Sequence, residues 1–140
     1  MVDIMKLNQN TMRKLVLYLI IGVSLTSCSK PKQIYLYFTN NADYDILVFK
    51  WYSYPDTNFY FEWGGTKVLA NTQYAYGSKN GWDNDIKNNN AEHVLMLFIV
   101  HPDTLAKYSF DEISENYLFS KRYDLHLTEL EKNGWQVSYP

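Results

Sequence analysis

Two kinds of apolar pattern divide the chain. From Leu15 to Leu25 apolar residues run almost without interruption, broken by Gly22 and Ser24. From Gln33 onward apolar and polar positions alternate or come in short bursts, which is the period of half-buried strands. Ile34, Leu36 and Phe38 fall on one face and Tyr35 and Tyr37 on the other, predicting a strand over 33–39. A second is predicted over 45–54, with Ile46, Val48 and Lys50 on one face and Leu47, Phe49 and Trp51 on the other. Asn40-Asn41-Ala42-Asp43 between them is turn chemistry, because Asn and Asp tolerate left-handed backbone. The two strands are therefore expected to pair as an antiparallel hairpin.

Further along, Phe59 to Trp63 predicts a short aromatic strand stopped by Gly64-Gly65, and two more strands are expected around 67–69 and 73–76. Residues 77–90 have few apolar positions and are expected to form a polar loop. Val94 to Val100 is wholly apolar, as in a central strand covered on both faces. The period then changes. Pro102 opens a short turn or helix, with proline at its favoured first position. Ser109-Phe110-Asp111-Glu112 matches a capping box, predicting a helix over 110–117 with Phe110, Ile113 and Tyr117 on one face. Residues 118–125 are expected to be extended. Thr128-Glu129-Leu130-Glu131 opens another helix stopped by Gly134, and Trp135 to Tyr139 alternates as a last strand. The fold class expected is α+β: an antiparallel β-sheet or sandwich of about five to six strands, with two short helices near the C-terminus.

The first apolar run is too short for a membrane-spanning helix, which needs about 20 such residues. Arg13 and Lys14 precede it, and Leu25-Thr26-Ser27-Cys28 follows it. Basic residues, an apolar run and small residues in that order form a secretory signal. The final tetrapeptide resembles the lipobox of bacterial lipoproteins: an aliphatic residue, two small residues that let a peptidase approach the backbone, and the cysteine that is lipidated. The resemblance implies diacylglyceryl attachment to the Cys28 sulfur, cleavage before it and acylation of the new amino group, commonly with palmitate. Residues 1–27 are then a signal peptide, with Met5 and Met12 as alternative starts. Residues 28–33 are a lipidated tether, and 34–140 a single globular domain. Lys30 and Lys32 stand where surface-exported lipoproteins of Bacteroidetes-type bacteria carry an acidic run, and Ser29 is compatible with outer-membrane sorting. The location expected is the bacterial cell envelope, anchored in the outer membrane and facing the periplasm.

Composition narrows the function classes. At 140 residues the chain is at most one ordinary domain. With 46% apolar and 20% charged residues it is not a disordered chain. One cysteine excludes an intramolecular disulfide framework and a multi-cysteine metal site. Loss of residues 1–27 removes three bases (Lys6, Arg13, Lys14) and one acid (Asp3) from 13 and 15, leaving ten against fourteen and a charge of −4. An acidic chain of this kind lacks the basic footprint that nucleic acid demands.

Two short echoes, Tyr54-Pro55-Asp56-Thr57 with His101-Pro102-Asp103-Thr104 and Lys79-Asn80-Gly81-Trp82 with Lys132-Asn133-Gly134-Trp135, lie at different offsets and are reused turn chemistry rather than a duplication. In the last third, Tyr108-Ser109, Asp111-Glu112-Ile113, Glu115-Asn116-Tyr117, Arg122-Tyr123-Asp124-Leu125, Trp135 and Tyr139-Pro140 resemble the C-terminal pattern of small lipoproteins of Bacteroidetes-type bacteria. That family has no assigned activity, so the resemblance implies location and domain extent but no catalytic residue.

No catalytic motif surrounds His93, His101 or His126, and each stands without a sequence partner. Asp83-Asn84-Asp85 fails the calcium-loop pattern, since the ligand, glycine and glutamate positions hold Lys87, Asn88 and Val94. No phosphate loop follows Gly64-Gly65. The chain is thus expected to be non-catalytic, with no cofactor and no metal. The aromatics are the remaining feature. Trp51, Tyr52, Tyr54, Phe59, Tyr60, Phe61 and Trp63 crowd together, and Trp82 follows among Asn and Asp. Packing a small sheet is their ordinary use. Their flat faces beside amides also suit sugar rings and protein hot spots. The function expected is a membrane-anchored lipoprotein with an envelope or partner-binding role, held by Cys28 and meeting an unidentified protein or glycan partner. The alternative is a glycan-binding module using Trp51, Trp63 and Trp82.

Overall fold

The computed structural model describes residues 32–55 and 64–140, and the stretch from Lys32 to Pro140 is one unit. Among the described residues seven strands and four short helices follow in the order β1 (Tyr35–Asn40), β2 (Ile46–Trp51), β3 (Thr66–Val68), β4 (Thr72–Gly77), α1 (Trp82–Asn89), β5 (Val94–Val100), α2 (Pro102–Lys107), α3 (Phe110–Glu115), β6 (Lys121–His126), α4 (Leu127–Lys132) and β7 (Gln136–Tyr139). The strands form two sheets, ordered β4-β1-β7 and β3-β2-β5-β6. This is a mixed α+β fold, as the apolar pattern predicts. The signal peptide, the lipobox with Cys28, the expected strand over 59–63 and Trp63 lie outside the described residues. Among the described residues no helix is long and apolar enough to cross a membrane.

The run of seven apolar residues in β5 is buried at every position. Alternate side chains leave a strand on opposite faces, so β5 supplies two cores. Leu95, Leu97 and Ile99 join Leu36 and Phe38 of β1, Ile46 and Val48 of β2 and Val137 of β7 in the space between the sheets. Val94, Met96, Phe98 and Val100 join Phe49 of β2 and Ile113 of α3 on the far side, with Leu105 of α2 packed against them. The four-stranded sheet is therefore the middle layer, between the three-stranded sheet and the α2–α3 pair.

The expected hairpin is not formed. β1 pairs antiparallel with β4 and parallel with β7, whereas β2 pairs with β3 and β5. The reason lies in Asn40, which is fully buried. Its side-chain nitrogen donates to the carbonyls of Tyr44 at 2.8 Å, Leu69 at 3.1 Å and Val68 at 3.3 Å, and its oxygen accepts from the Ala42 amide at 3.1 Å. The turn after β1 is thus fastened to the end of β3, and the chain crosses to the other sheet instead of folding back.

The expected polar loop over 77–90 contains the helix α1. Its apolar positions are Trp82 and Ile86, spaced i,i+4 on one buried face. Asp83 and Asp85 in the first turn and Lys87 in the last complement the helix dipole. The signals for α2 and α3 hold, whereas α4 begins at Leu127 with His126 at its N-cap, so the expected opening residue Thr128 lies inside the helix. His101 and Pro102 open α2, the His101 ring nitrogen accepting from the Asp103 amide at 3.0 Å. The Ser109–Glu112 capping box opens α3, which ends at Glu115 rather than Tyr117. Of the three residues expected on its inner face only Ile113 is buried, while Phe110 and Tyr117 are part-exposed, the Phe110 ring standing edge-on to Phe49 with centroids 5.9 Å apart.

Candidate functional site

The tryptophans do not form one platform. Trp82 is 1% exposed. Its amide donates to Gln33 O at 2.8 Å and its indole N–H to Tyr76 O at 2.8 Å, so it is a core residue of the inter-sheet space and offers no ring face to a ligand. Trp51 is half-buried and belongs to the other core, on the opposite face of β2. The expected grouping of Trp51 with Trp82 is therefore corrected: β2 parity sends Trp51 away from the space that α1 fills.

His93 and His126 flank the same end of the β5–β6 pair, where the Leu127 amide donates to His93 O at 3.0 Å, and His101 lies at the other end of β5. His93 is exposed in the turn before β5 with φ of 54°, His126 is the exposed N-cap of α4, and His101 caps α2. The His101 ring packs edge-on against Tyr44 with centroids 4.4 Å apart. Among the described residues no group of three His, Cys, Asp or Glu is placed to hold a metal ion.

One charged cluster sits at the rim of the inter-sheet core. Alternation along β2 turns Lys50 toward that core, opposite Leu97 of β5. Its ammonium lies 4.9 Å from the Tyr76 ring centroid and 5.3 Å from that of Trp82, in cation–π range. Burial of the stem lowers the Lys50 pKa, and the negative charge of Asp85 opposes that effect. Asp85 is itself held by the Ser78 hydroxyl, which donates to Oδ2 at 2.6 Å. Tyr52 nearby is pushed up to about 12, first by burial and then by the charge of Asp85. Asn90 closes the cluster: its side-chain nitrogen donates to Tyr52 O at 2.8 Å and Val94 O at 2.7 Å, and its oxygen accepts from the Val94 amide at 2.9 Å. The Lys50 ring contacts and the Asn90 hydrogen bonds link β2 with β4, α1 and the start of β5.

The outer face of the three-stranded sheet is different in kind. Because Leu36, Phe38 and Asn40 point inward, Tyr35, Tyr37 and Thr39 point out. The register sets Gly77, Ala75 and Gln73 of β4 beside them on one side, and Gln136 and Ser138 of β7 lie beside Tyr37 and Thr39 on the other. The Tyr35 and Tyr37 rings have centroids 6.3 Å apart and are tilted by 37°. Gly77 leaves room for the Tyr35 ring, whose Cε1 stands 3.8 Å from where a side chain would begin. The Gln73 amide donates to the Thr39 hydroxyl at 3.1 Å. No charged side chain belongs to these three strands. The face offers two aromatic rings, amides and hydroxyls, which suits a neutral partner that stacks and shares hydrogen bonds. Sequence reasoning weighed the tryptophans and passed over Tyr35 and Tyr37, although their alternation against Leu36 and Phe38 already put them on the face away from the core.

Comparison with known proteins adds nothing to this geometry: no family model, no curated protein and no solved structure matches the chain.

Proposed function

We propose that the chain is a lipid-anchored protein of the bacterial envelope whose folded unit binds a partner without catalysis. The observation that carries this reading is the order Arg13-Lys14, the apolar run Leu15–Leu25 and Leu25-Thr26-Ser27-Cys28, directly upstream of a unit that begins at Lys32. Two or more acyl chains at Cys28 give stable membrane attachment at about 0.8 kcal/mol per buried methylene. The outer membrane, facing the periplasm, is the location this reading assigns. Replacing Cys28 with Ala tests it: the protein leaves the membrane fraction and loses incorporation of a labelled fatty acid. Retention in the membrane fraction contradicts it.

A glycan is the second reading of the partner, and the Tyr35–Tyr37 pair on an uncharged face favours it. Calorimetric titration with neutral oligosaccharides tests it directly. Binding that is lost in a Tyr35→Ala, Tyr37→Ala double variant supports the glycan, and flat titrations of the parent protein remove it.

A further inference from the structure

We infer that the edge of β4, which no strand among the described residues pairs, joins β4 of a second copy of this chain across a two-fold axis at Ala75. The Tyr37 amide donates to Trp135 O at 2.9 Å and the Asn41 amide to Tyr139 O at 2.5 Å, so odd-numbered residues of β1 turn their backbone groups toward β7. Even-numbered ones then face β4, and the register matches them with Thr72, Tyr74 and Tyr76. Gln73 and Ala75 consequently aim N–H and C=O away from the sheet, and both residues are exposed.

Unpaired edges invite strand addition, and proteins guard against it by shortness, charge or cover. The other edges here are guarded. β3 has three residues. β6 carries Lys121, Arg122, Asp124 and His126. On β7 the outward carbonyl of Ser138 accepts from the Tyr123 hydroxyl at 2.8 Å. Among the edge strands of the described residues, β4 alone is six residues long with neither charge nor proline.

The occupant follows from charge and shape. Backbone groups in this array accept only another extended strand. Two copies of a chain with the same net charge can meet closely only where no like charges oppose, and Thr72–Gly77 carries none. With the axis at Ala75, alanine meets alanine, Gln73 meets Gly77 and Tyr74 meets Tyr76. Small residues thus sit at the axis and opposite the long amide, and Tyr76, already buried in its own core, leaves Tyr74 as the aromatic side chain that gains cover. Tyr74, now 42% exposed, is covered. The product is one six-stranded sheet in which the two tyrosine faces are continuous.

Sedimentation equilibrium of the full chain in detergent, with Ala75→Lys and Ala75→Pro variants beside it, is the test. A dimer is expected for the parent and a monomer for both variants, each with unchanged circular dichroism, because the Ala75 N–H is not turned toward β1 and its side chain lies on the exposed outer face of the sheet. Should Ala75→Pro fail to fold, Ala75→Lys decides. Register is read by disulfide trapping in a Cys28→Ala background. Ala75→Cys places the two Cα atoms about 5.5 Å apart, within disulfide reach, whereas Gln73→Cys separates them by about 14 Å. Cross-linking at 75 and not at 73 is expected. A parent that stays monomeric at every concentration, a dimer indifferent to Ala75→Lys, or equal cross-linking at both positions overturns the inference.

Discussion

The indole N–H of Trp82 donates to the carbonyl oxygen of Tyr76 at 2.8 Å, so the first residue of α1 is tied to the strand that precedes it. The same indole lies in the inter-sheet core with Ile86, one helical turn further on. Trp82→Ala opens a large cavity in the core, at an expected cost of about 3–5 kcal/mol. Trp82→Phe keeps most of the packing and loses one hydrogen bond to a carbonyl that β1 also serves, costing roughly 0.5–1.5 kcal/mol. Urea unfolding of the two variants measures both, and a Trp82→Ala protein as stable as the parent contradicts the core assignment.

Asn40 makes the strongest single test of the crossover between the sheets. Its amide serves three carbonyls and one N–H in a buried turn. Asn40→Leu conserves volume and leaves those groups without their partner, at roughly 1–3 kcal/mol for a buried group left unsatisfied. The expected total is at least about 2 kcal/mol, read as a lowered unfolding midpoint with unchanged denaturant slope. Asn41→Ala, one residue along on an exposed site, is expected to cost far less.

The α3 cap is a smaller, local contribution. Ser109 Oγ accepts from the Glu112 amide at 3.3 Å, and the Glu112 carboxylate accepts from the Ser109 amide at 2.8 Å, which holds the Glu112 pKa below its usual value. Ser109→Ala is expected to cost about 0.5–2 kcal/mol. Ser109→Asp, another good cap, is expected to retain most of the stability. Thermal unfolding compares the three.

Stability falls on the alkaline side. Burial raises the phenol pKa of Tyr52 to about 12, and of Tyr139 to about 12, where the Tyr44 hydroxyl at 3.0 Å adds to the effect. Tyr76 and Tyr123 are raised by burial as well. A tyrosine in the unfolded chain ionises near pH 10. Between that pH and the folded values the unfolded state binds fewer protons than the native state, so stability drops as pH rises through this window. Lys50 acts in the opposite sense, since its lowered pKa relieves a penalty as pH approaches the usual lysine value. Its residue is exposed, which keeps that contribution the lesser. Denaturant midpoints at about pH 9 and about pH 11 are expected to differ with the higher pH less stable. Equal midpoints contradict the burial of these phenols.

How far the sequence speaks depends on how local the cause is. β5 was legible because seven consecutive apolar residues need cover on both faces, and two cores provide it. The α3 cap was legible because Ser109 and Glu112 meet within one turn. The partner of β1 was not, because Asn40 acts through Val68 and Leu69, and β7 lies near the far end of the chain. α1 was passed over because its Trp82–Ile86 stripe is only two residues wide among Asn and Asp. The first-turn acids and the i,i+4 spacing were the available signal. The tryptophans were misgrouped for a related reason: strand parity fixes the face of Trp51, but nothing local says that a tryptophan after Gly81 turns inward.

The most direct test of the lipid-anchored reading is mass spectrometry of the mature N-terminal peptide from protein purified out of its native membrane. The account predicts a peptide that begins at Cys28, with a thioether-linked diacylglycerol on its sulfur. A peptide that begins upstream of Cys28, or an unmodified Cys28 thiol, contradicts it.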